Sequence, residues 1–320
     1  MRRSLTALCG GRAATKAALS STRSDSSRRH PGYSPLLLVL GAAALWSTGG
    51  LFIKATKLSG LELSFGRSLL AAISVAFVTR REGFGLNRVT ALAAALYAAL
   101  LILFVLATKQ TTAANAIFLQ YTAPFYLLLL EPIFYKEKFR LRDLFTVTAC
   151  IIGMSLFFVG KLRPQDVTGN LLALASGLCF ALYVLLLRHS QSRTVNRASS
   201  VIYGNLLVVF IAAPAGLAAL PQMTTHDLLS VAYLGIVQIG VAYTLFTVAM
   251  ARGVRSLDAG IIGYIEPVLN PIWVFLIIGE RPSNWAILGG AIIILAVVVH
   301  MLIDANRRRL TLKDIPSTLH

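Results

Sequence analysis

The sequence predicts an all-α membrane protein: ten transmembrane helices in two inverted five-helix repeats. Three observations predict it. The chain is a succession of apolar runs, each close to the ~20 residues that a helix needs to cross ~30 Å of hydrocarbon. Basic residues gather in alternate gaps between those runs, and the second half of the chain repeats the first. Composition agrees, since 56% of the 320 residues are hydrophobic and only 13% are charged, where soluble domains average about 25% charged.

The runs lie at 36–53, 61–79, 90–108, 113–135, 142–160, 168–188, 198–219, 228–250, 259–278 and 284–303. The gaps are too short to hold a soluble catalytic domain. Four regions follow: a disordered basic N-terminal tail over 1–35, a first repeat over 36–160, a second over 161–305 and a cytoplasmic C-terminal tail over 306–320. The first tail is rich in Ser and Arg with one acid, Asp25. It reads either as an organelle transit peptide or as a tail attracted to anionic lipid.

Orientation follows from the loops, because cytoplasmic loops are enriched in Lys and Arg. The gaps after runs two, four, six and eight hold twelve basic residues, among them Arg80, Arg81, Lys136, Lys138, Arg188 and Arg255; the other gaps hold six. Both tails carry Arg clusters, at 2–3, 28–29 and 307–309. Both termini are therefore expected in the cytoplasm, most simply at a plasma (inner) membrane, or at a plastid or mitochondrial one if the N-terminal tail is a transit peptide. The net charge of +17 is explained by these topology signals, so nucleic acid is not an expected partner.

The repeat shows in two alignments. Tyr121-Thr-Ala-Pro124 corresponds to Tyr264-Ile-Glu-Pro267 at an offset of 143, which also sets Glu137-Lys138 on Glu280-Arg281. An offset of 134 sets Trp46 on Phe180 and Lys54 on Arg188. Five spans per copy put the second copy upside down relative to the first, the plan of many secondary transporters.

Polar groups inside spans are costly and are functional candidates by default. Glu266 lies eight residues into the ninth run, too deep to reach an interface, so it faces the bundle interior. Helical spacing puts Gly263, Glu266, Asn270 and Trp273 on one face. Pro267 removes a hydrogen bond to the Gly263 carbonyl, and Pro124 does the same at Gln120; with Pro271 these are the expected helix kinks. Arg67, deep in the second run, anchors a carboxylate, either that of a substrate or that of a neighbour such as Glu62, or else it snorkels to the interface. Glu131 is expected at the solvated interface near Lys136, and His300 reads as interfacial. Trp46, Phe52, Tyr121, Tyr183, Gln238 and Tyr243 are candidates for an aromatic wall or for packing. Cys9, Cys150 and Cys179 have no metal-ligand spacing. Nucleotide-binding, zinc-protease and serine-hydrolase motifs are absent, so neither an enzyme nor a cofactor or metal site is expected.

Four segments together resemble the EamA-type transporters of the drug/metabolite transporter superfamily. They are "ALWSTGGLFIK", "ELSFGRSLLAA" with Arg67, "YTAPFYLLLLEPIFYKEK" and "YIEPVLNPIWVFLIIGERPSNWAILGGAIIILAVV". The resemblance covers about residues 36–303. It implies two inverted five-helix repeats around a central cavity, and alternating access that exports amino acids, other small metabolites or drugs. Two positions depart from it: Ser47, where a glycine often follows the tryptophan, and Ala123, where the second repeat has Glu266.

The expected function is secondary export of amino acids or related small metabolites. Glu266 binds a substrate amine or couples protons, Gly263 and Asn270 sit beside it, and Tyr264, Tyr121, Gln120 and Trp46 form the wall. The expected partners are a small-molecule substrate and the lipid bilayer, with the proton as candidate coupling ion and a homodimer as candidate assembly. A nucleotide-sugar or phosphate-ester carrier would need more basic residues at depth than Arg67 alone. A non-transporting scaffold or receptor is the alternative from another class.

Overall fold

The computed structural model describes residues 35–138, 140–156, 159, 167–196, 198–279 and 283–313. The N-terminal tail, the last seven residues, Lys161, Arg163, Arg197, Glu280 and Arg281 lie outside the described residues.

All regular structure among the described residues is helical. Helix α1 is two halves, Pro35–Trp46 and Gly49–Ala55; α2 is Gly60–Thr79 and α3 is Arg88–Gln110. Helix α4 is again two halves, Ala113–Gln120 and Ala123–Tyr135, and α5 is Leu141–Leu156. In the second repeat α6 is Val167–Arg188 and α7 is Ser199–Ala219. Helix α8 runs Thr225–Ala232, widens into a π-helical stretch at Tyr233–Val241 and ends as Ala242–Ala251. Helix α9 is two halves, Ser256–Gly263 and Ile265–Ile278, and α10 is Asn284–Lys313. Among the described residues nine helices are long and apolar enough to cross a membrane. The tenth, α5, is described for 16 residues, about 24 Å at ~1.5 Å per residue.

Helix starts are set by local chemistry. Ser59 accepts from the Glu62 amide while Glu62 Oε2 accepts from the Ser59 amide at 2.7 Å, a reciprocal capping box that satisfies two otherwise orphaned donors. Thr224 and Asp227 do the same for α8.

The packing carries the repeat. Helices α2 and α7, α4 and α9, and α5 and α10 each pack on their own repeat mate. Helix α3 packs on α6 as α8 packs on α1, and α4 packs on α6 as α9 packs on α1. A contact pattern that survives exchange of the two halves is what a two-fold axis produces. With five spans per half, that axis lies in the membrane plane. Single residues follow the same rule. Phe65-Gly66-Arg67 of α2 corresponds to Tyr203-Gly204-Asn205 of α7. A side chain on Gly66 would meet Val231 of α8, and one on Gly204 would meet Tyr97 of α3. Small residues at such crossings let backbones approach closely where lipid supplies no hydrophobic drive between helices. The outward faces carry Phe77, Ile133 and Phe210, all well exposed, as expected of groups facing hydrocarbon.

Candidate functional site

Three helices break, and a fourth widens, at one level of the bundle. Pro124 and Pro267 do not bend continuous helices, as expected from sequence; each sits in the first turn of a new half-helix, after a turn at Tyr121-Thr122 and at Tyr264 respectively. Proline is well suited to that first turn because its missing amide would have no partner there. The α1 break at Ser47-Thr48 has no proline and was not legible in the sequence. Its freed carbonyls are taken by hydroxyls: Ser47 Oγ donates to Ala44 at 2.6 Å and Thr48 Oγ1 to Leu45 at 2.7 Å. Thr122 Oγ1 donates likewise to Leu119 at 2.7 Å. The Gln120 carbonyl, freed by Pro124, lies against Gly177 of α6, where a side chain would come within 2.7 Å of it.

A cavity lies among these segments. Its polar lining is Trp46, Arg67, Gln120, Tyr121, Gln238, Tyr243 and Glu266, and Leu100, Leu101, Phe104, Phe180 and Ile239 complete it. The space between atoms comes to about 420 Å³, open solvent included, and about 30 Å³ of it admits the centre of a water-sized sphere. That inner volume holds about two or three waters, well short of the ~300 Å³ at the lower end of drug-sized ligand sites.

Arg67 is 1% exposed. Its Nη2 donates to the Leu101 carbonyl at 3.4 Å, and its Nε has no hydrogen-bond partner. The snorkelling alternative is thereby overturned. Glu62 is no counter-ion either, because its carboxylate is engaged in the capping box at the helix start. Glu266, 5% exposed, accepts from the Tyr121 hydroxyl at 2.6 Å. A guanidinium and a carboxyl group therefore line one cavity, and no ion pair joins them. Two further lining atoms, Trp46 Nε1 and Gln238 Oε1, are buried without a hydrogen-bond partner. Groups of this kind cost about 1–3 kcal/mol each when left unsatisfied.

The remaining sequence candidates take distinct places. Gly263 lies against the Tyr121 ring, where a side chain would meet Cε1 at 3.0 Å. Tyr264 is fully buried, its ring centroid 5.7 Å from that of its repeat mate Tyr121, and it does not line the cavity. Asn270 is buried with Nδ2 facing Gly50 of α1. Trp273 donates from Nε1 to Ser47 Oγ at 2.7 Å. The stripe on α9 thus faces the broken segments of α1 and α4. Gln120 donates to Ser176 Oγ at 2.8 Å. Trp46 packs on Tyr243, Phe246 and its repeat mate Phe180 at 4.7, 5.2 and 6.0 Å between centroids. Of the other aromatic candidates, Phe52 stacks on Tyr233 and Tyr183 on Tyr97; neither lines the cavity. Pro271 falls within the second half of α9.

Sequence reasoning missed a buried charge network. Glu131 is fully buried, not solvated at an interface. It pairs with Arg188 and, at 2.8 Å, with Arg255 Nε. Glu137 bridges the same two arginines at 2.6 and 2.9 Å, and Asp143 accepts from Arg255 Nη1 at 2.5 Å. His300, 2% exposed, is no free interfacial group, since its Nε2 lies 3.1 Å from Asp258 Oδ1. Burial alone would loosen the proton on Arg255, but Glu131, Asp143 and Asp258 outweigh it and raise the guanidinium above its ordinary range. These residues come from five helices and two loops far apart in sequence, so no local pattern announced them.

The EamA-like transporter family profile matches residues 33–159 and again residues 167–302. The chain belongs to the EamA-like transporter family. It is an integral, multi-pass membrane transporter built on a duplicated unit. The pseudopaline exporter CntI of Pseudomonas aeruginosa, from strains PAO1 and UCBPP-PA14, is 24% identical over 281 residues, 83% of this chain and 95% of that protein. One solved crystal structure superposes with a TM-score of 0.69 over 84% of this chain and 98% of its own, at 21% identity. That likeness shows the fold.

Proposed function

We propose that this protein exports amino acids or related small zwitterionic metabolites by alternating access of its two five-helix repeats, 36–160 and 161–305, around the mid-membrane cavity. One observation carries the reading: a buried base, Arg67, and a buried acid, Glu266, line one cavity without pairing. In this reading Arg67 takes the carboxylate of the substrate and Glu266 its ammonium group or a coupling proton. Trp46 Nε1 is an additional donor and Gln238 Oε1 an additional acceptor. The asymmetry of the repeats supports a chemical role for both charges, because their mates, Asn205 and Ala123, carry none. A relative that exports pseudopaline agrees with outward transport of a small metabolite. A phosphate-ester carrier is less well supported, since the one cation of the cavity faces a carboxylate. The basic loops support an orientation with both termini in the cytoplasm.

The test is flux in proteoliposomes of the purified protein, with free amino acids against their N-acetyl and methyl-ester derivatives, with and without a pH gradient. Free amino acids are expected to be carried, and both blocked forms to lose at least tenfold in apparent affinity, a loss of about 1.4 kcal/mol. Absence of flux for every compound would leave the scaffold reading standing. Full, still gradient-sensitive flux by Glu266→Gln would remove the role given to that residue.

A further inference from the structure

We propose that the buried charge network is the closed gate of the cavity on the face that carries the basic loops. The inference rests on alternating access between the two halves, and it does not require the substrate to be a zwitterion.

The five pairs that join Glu131, Glu137 and Asp143 to Arg188 and Arg255 all cross from one half to the other, while Asp258–His300 and Arg142–Asp143 each stay within one half. Glu131 of α4, Glu137 just beyond it and Asp143 of α5 belong to the first half; Arg188 of α6 and Arg255, just before α9, belong to the second. Asp258 of α9 and His300 of α10 extend it. The Ser256 amide at the start of α9 also donates to Glu131 Oε1 at 3.1 Å. Along α4 the network begins about ten residues beyond Gln120 and Tyr121, along α6 about eight beyond Phe180, and along α9 it starts about ten before Glu266, so it stands about 12–15 Å from the cavity at ~1.5 Å per residue. All three helices run from the cavity wall into the network. Opening the cavity on this side requires α4 and α5 to part from α6 and α9, and the pairs that must break are these.

The other face is built differently. The repeat mates of Glu131, Asp143 and Asp258 are Val274, Ala286 and Asn115, which carry no charge, while those of Glu137 and Arg188, Glu280 and Lys54, keep theirs. There Lys54 and Lys109 donate to the main-chain carbonyls of Thr111 and Thr56 at 2.7 and 3.0 Å. The buried pairs that join the two halves here favour closure of the basic-loop face. A differential interaction of this kind is what biases a two-state equilibrium.

The test reads access, not flux, so it stands apart from the substrate reading. In a background with Cys9, Cys150 and Cys179 changed to Ala, Gln120→Cys reports the cavity to a membrane-impermeant maleimide in right-side-out and inside-out vesicles. Adding Glu131→Gln, or separately Glu137→Gln, is expected to raise labelling from the basic-loop face by at least about fivefold and to lower it from the opposite face. Labelling unchanged from the basic-loop face in both variants, with a lowered melting temperature, would make the network structural only and overturn the proposal. An equal rise from both faces, marking a loosened bundle, would overturn it too. Should Glu131→Gln not accumulate in the membrane, Glu137→Gln decides alone, since Glu137 is about a quarter exposed and its loss is better tolerated.

Discussion

Gly235→Ala tests the link between packing and the cavity. Gly235 sits in the π-helical stretch of α8, where a Cβ would lie 2.5 Å from the Arg67 carbonyl oxygen and 2.8 Å from Leu70 Cβ. Carbon-to-oxygen contacts settle at ~3.3 Å or more, so α8 must retreat from α2 by about 0.8 Å at the turn that carries Arg67. The obstacle is backbone, which cannot rotate away. Overpacking of this kind costs ~1–3 kcal/mol, and at roughly 2–4 °C per kcal/mol the melting temperature should fall by about 2–12 °C. Cys150 is fully buried, so a thiol-reactive dye follows the unfolding. The same shift separates Arg67 from Gln238 across the cavity, and misplacement by ~1 Å costs up to ~100-fold; apparent substrate affinity should drop by about tenfold. Gly253→Ala is the control. Gly253 has φ +87° with open space around it, so alanine there pays about 1 kcal/mol for backbone strain and leaves affinity alone. A Gly235→Ala protein that melts within 1 °C of wild type, or keeps full affinity, would refute the packing argument.

Three further outcomes are expected. Arg255→Gln should destabilise by ~3–5 kcal/mol, because it takes a main partner from two fully buried carboxylates, leaving Glu131 to Arg188 and Asp143 to Arg142, whereas Glu137→Gln should cost about 1 kcal/mol or less; equal melting shifts would contradict the burial assigned to each. Trp273→Phe removes the donor to Ser47 and should cost ~1 kcal/mol, read in the same thermal assay, with substrate affinity unchanged. Arg67→Lys keeps the charge but loses the planar fork, so apparent affinity for carboxylate-bearing substrates should fall by about tenfold while methyl esters are affected less, measured as flux in proteoliposomes.

Much of this architecture was legible in the sequence because membrane physics is coarse. Apolar length gave the spans, and the Tyr-x-x-Pro repeat marked where α4 and α9 are interrupted, though it was read as kinks and not as breaks. Depth singled out Glu266 and Arg67, and of the residues expected beside them Trp46, Gln120 and Tyr121 line the same cavity, while Gly263, Tyr264 and Asn270 do not. The rest required three dimensions. The α1 break depends on hydroxyls turning back to their own carbonyls at Ser47 and Thr48, which a "WSTGG" string does not announce as proline does. Arg67 was left between anchoring and snorkelling because a sequence shows depth along a helix but not which way the side chain turns. Glu131, Arg188 and Arg255 were read as interfacial or topological charges since each lies near a span end. What buries them is the meeting of that end with others from the opposite half, at separations of more than fifty residues.

The two-fold arrangement also explains why the chemistry lies where it does. Residues close to such an axis meet their own repeat mates, as Trp46 meets Phe180 and Tyr121 meets Tyr264. A charge at one of those positions in both repeats would face its own kind in a low-dielectric interior, at a cost that no fixed partner offsets. Duplication therefore has to be broken wherever a charge enters the centre, and the chain breaks it twice: Glu266 faces the cavity where its mate is Ala123, and Arg67 where its mate is Asn205. The symmetric part of the sequence, with its prolines, close-packed glycines and broken helices, builds the helical scaffold. The asymmetric part supplies the opposite charges of one cavity and the ion pairs of one face. A cavity with one acid and one base at its wall presents each to a ligand without self-repulsion, and that is the arrangement a zwitterion would neutralise most completely.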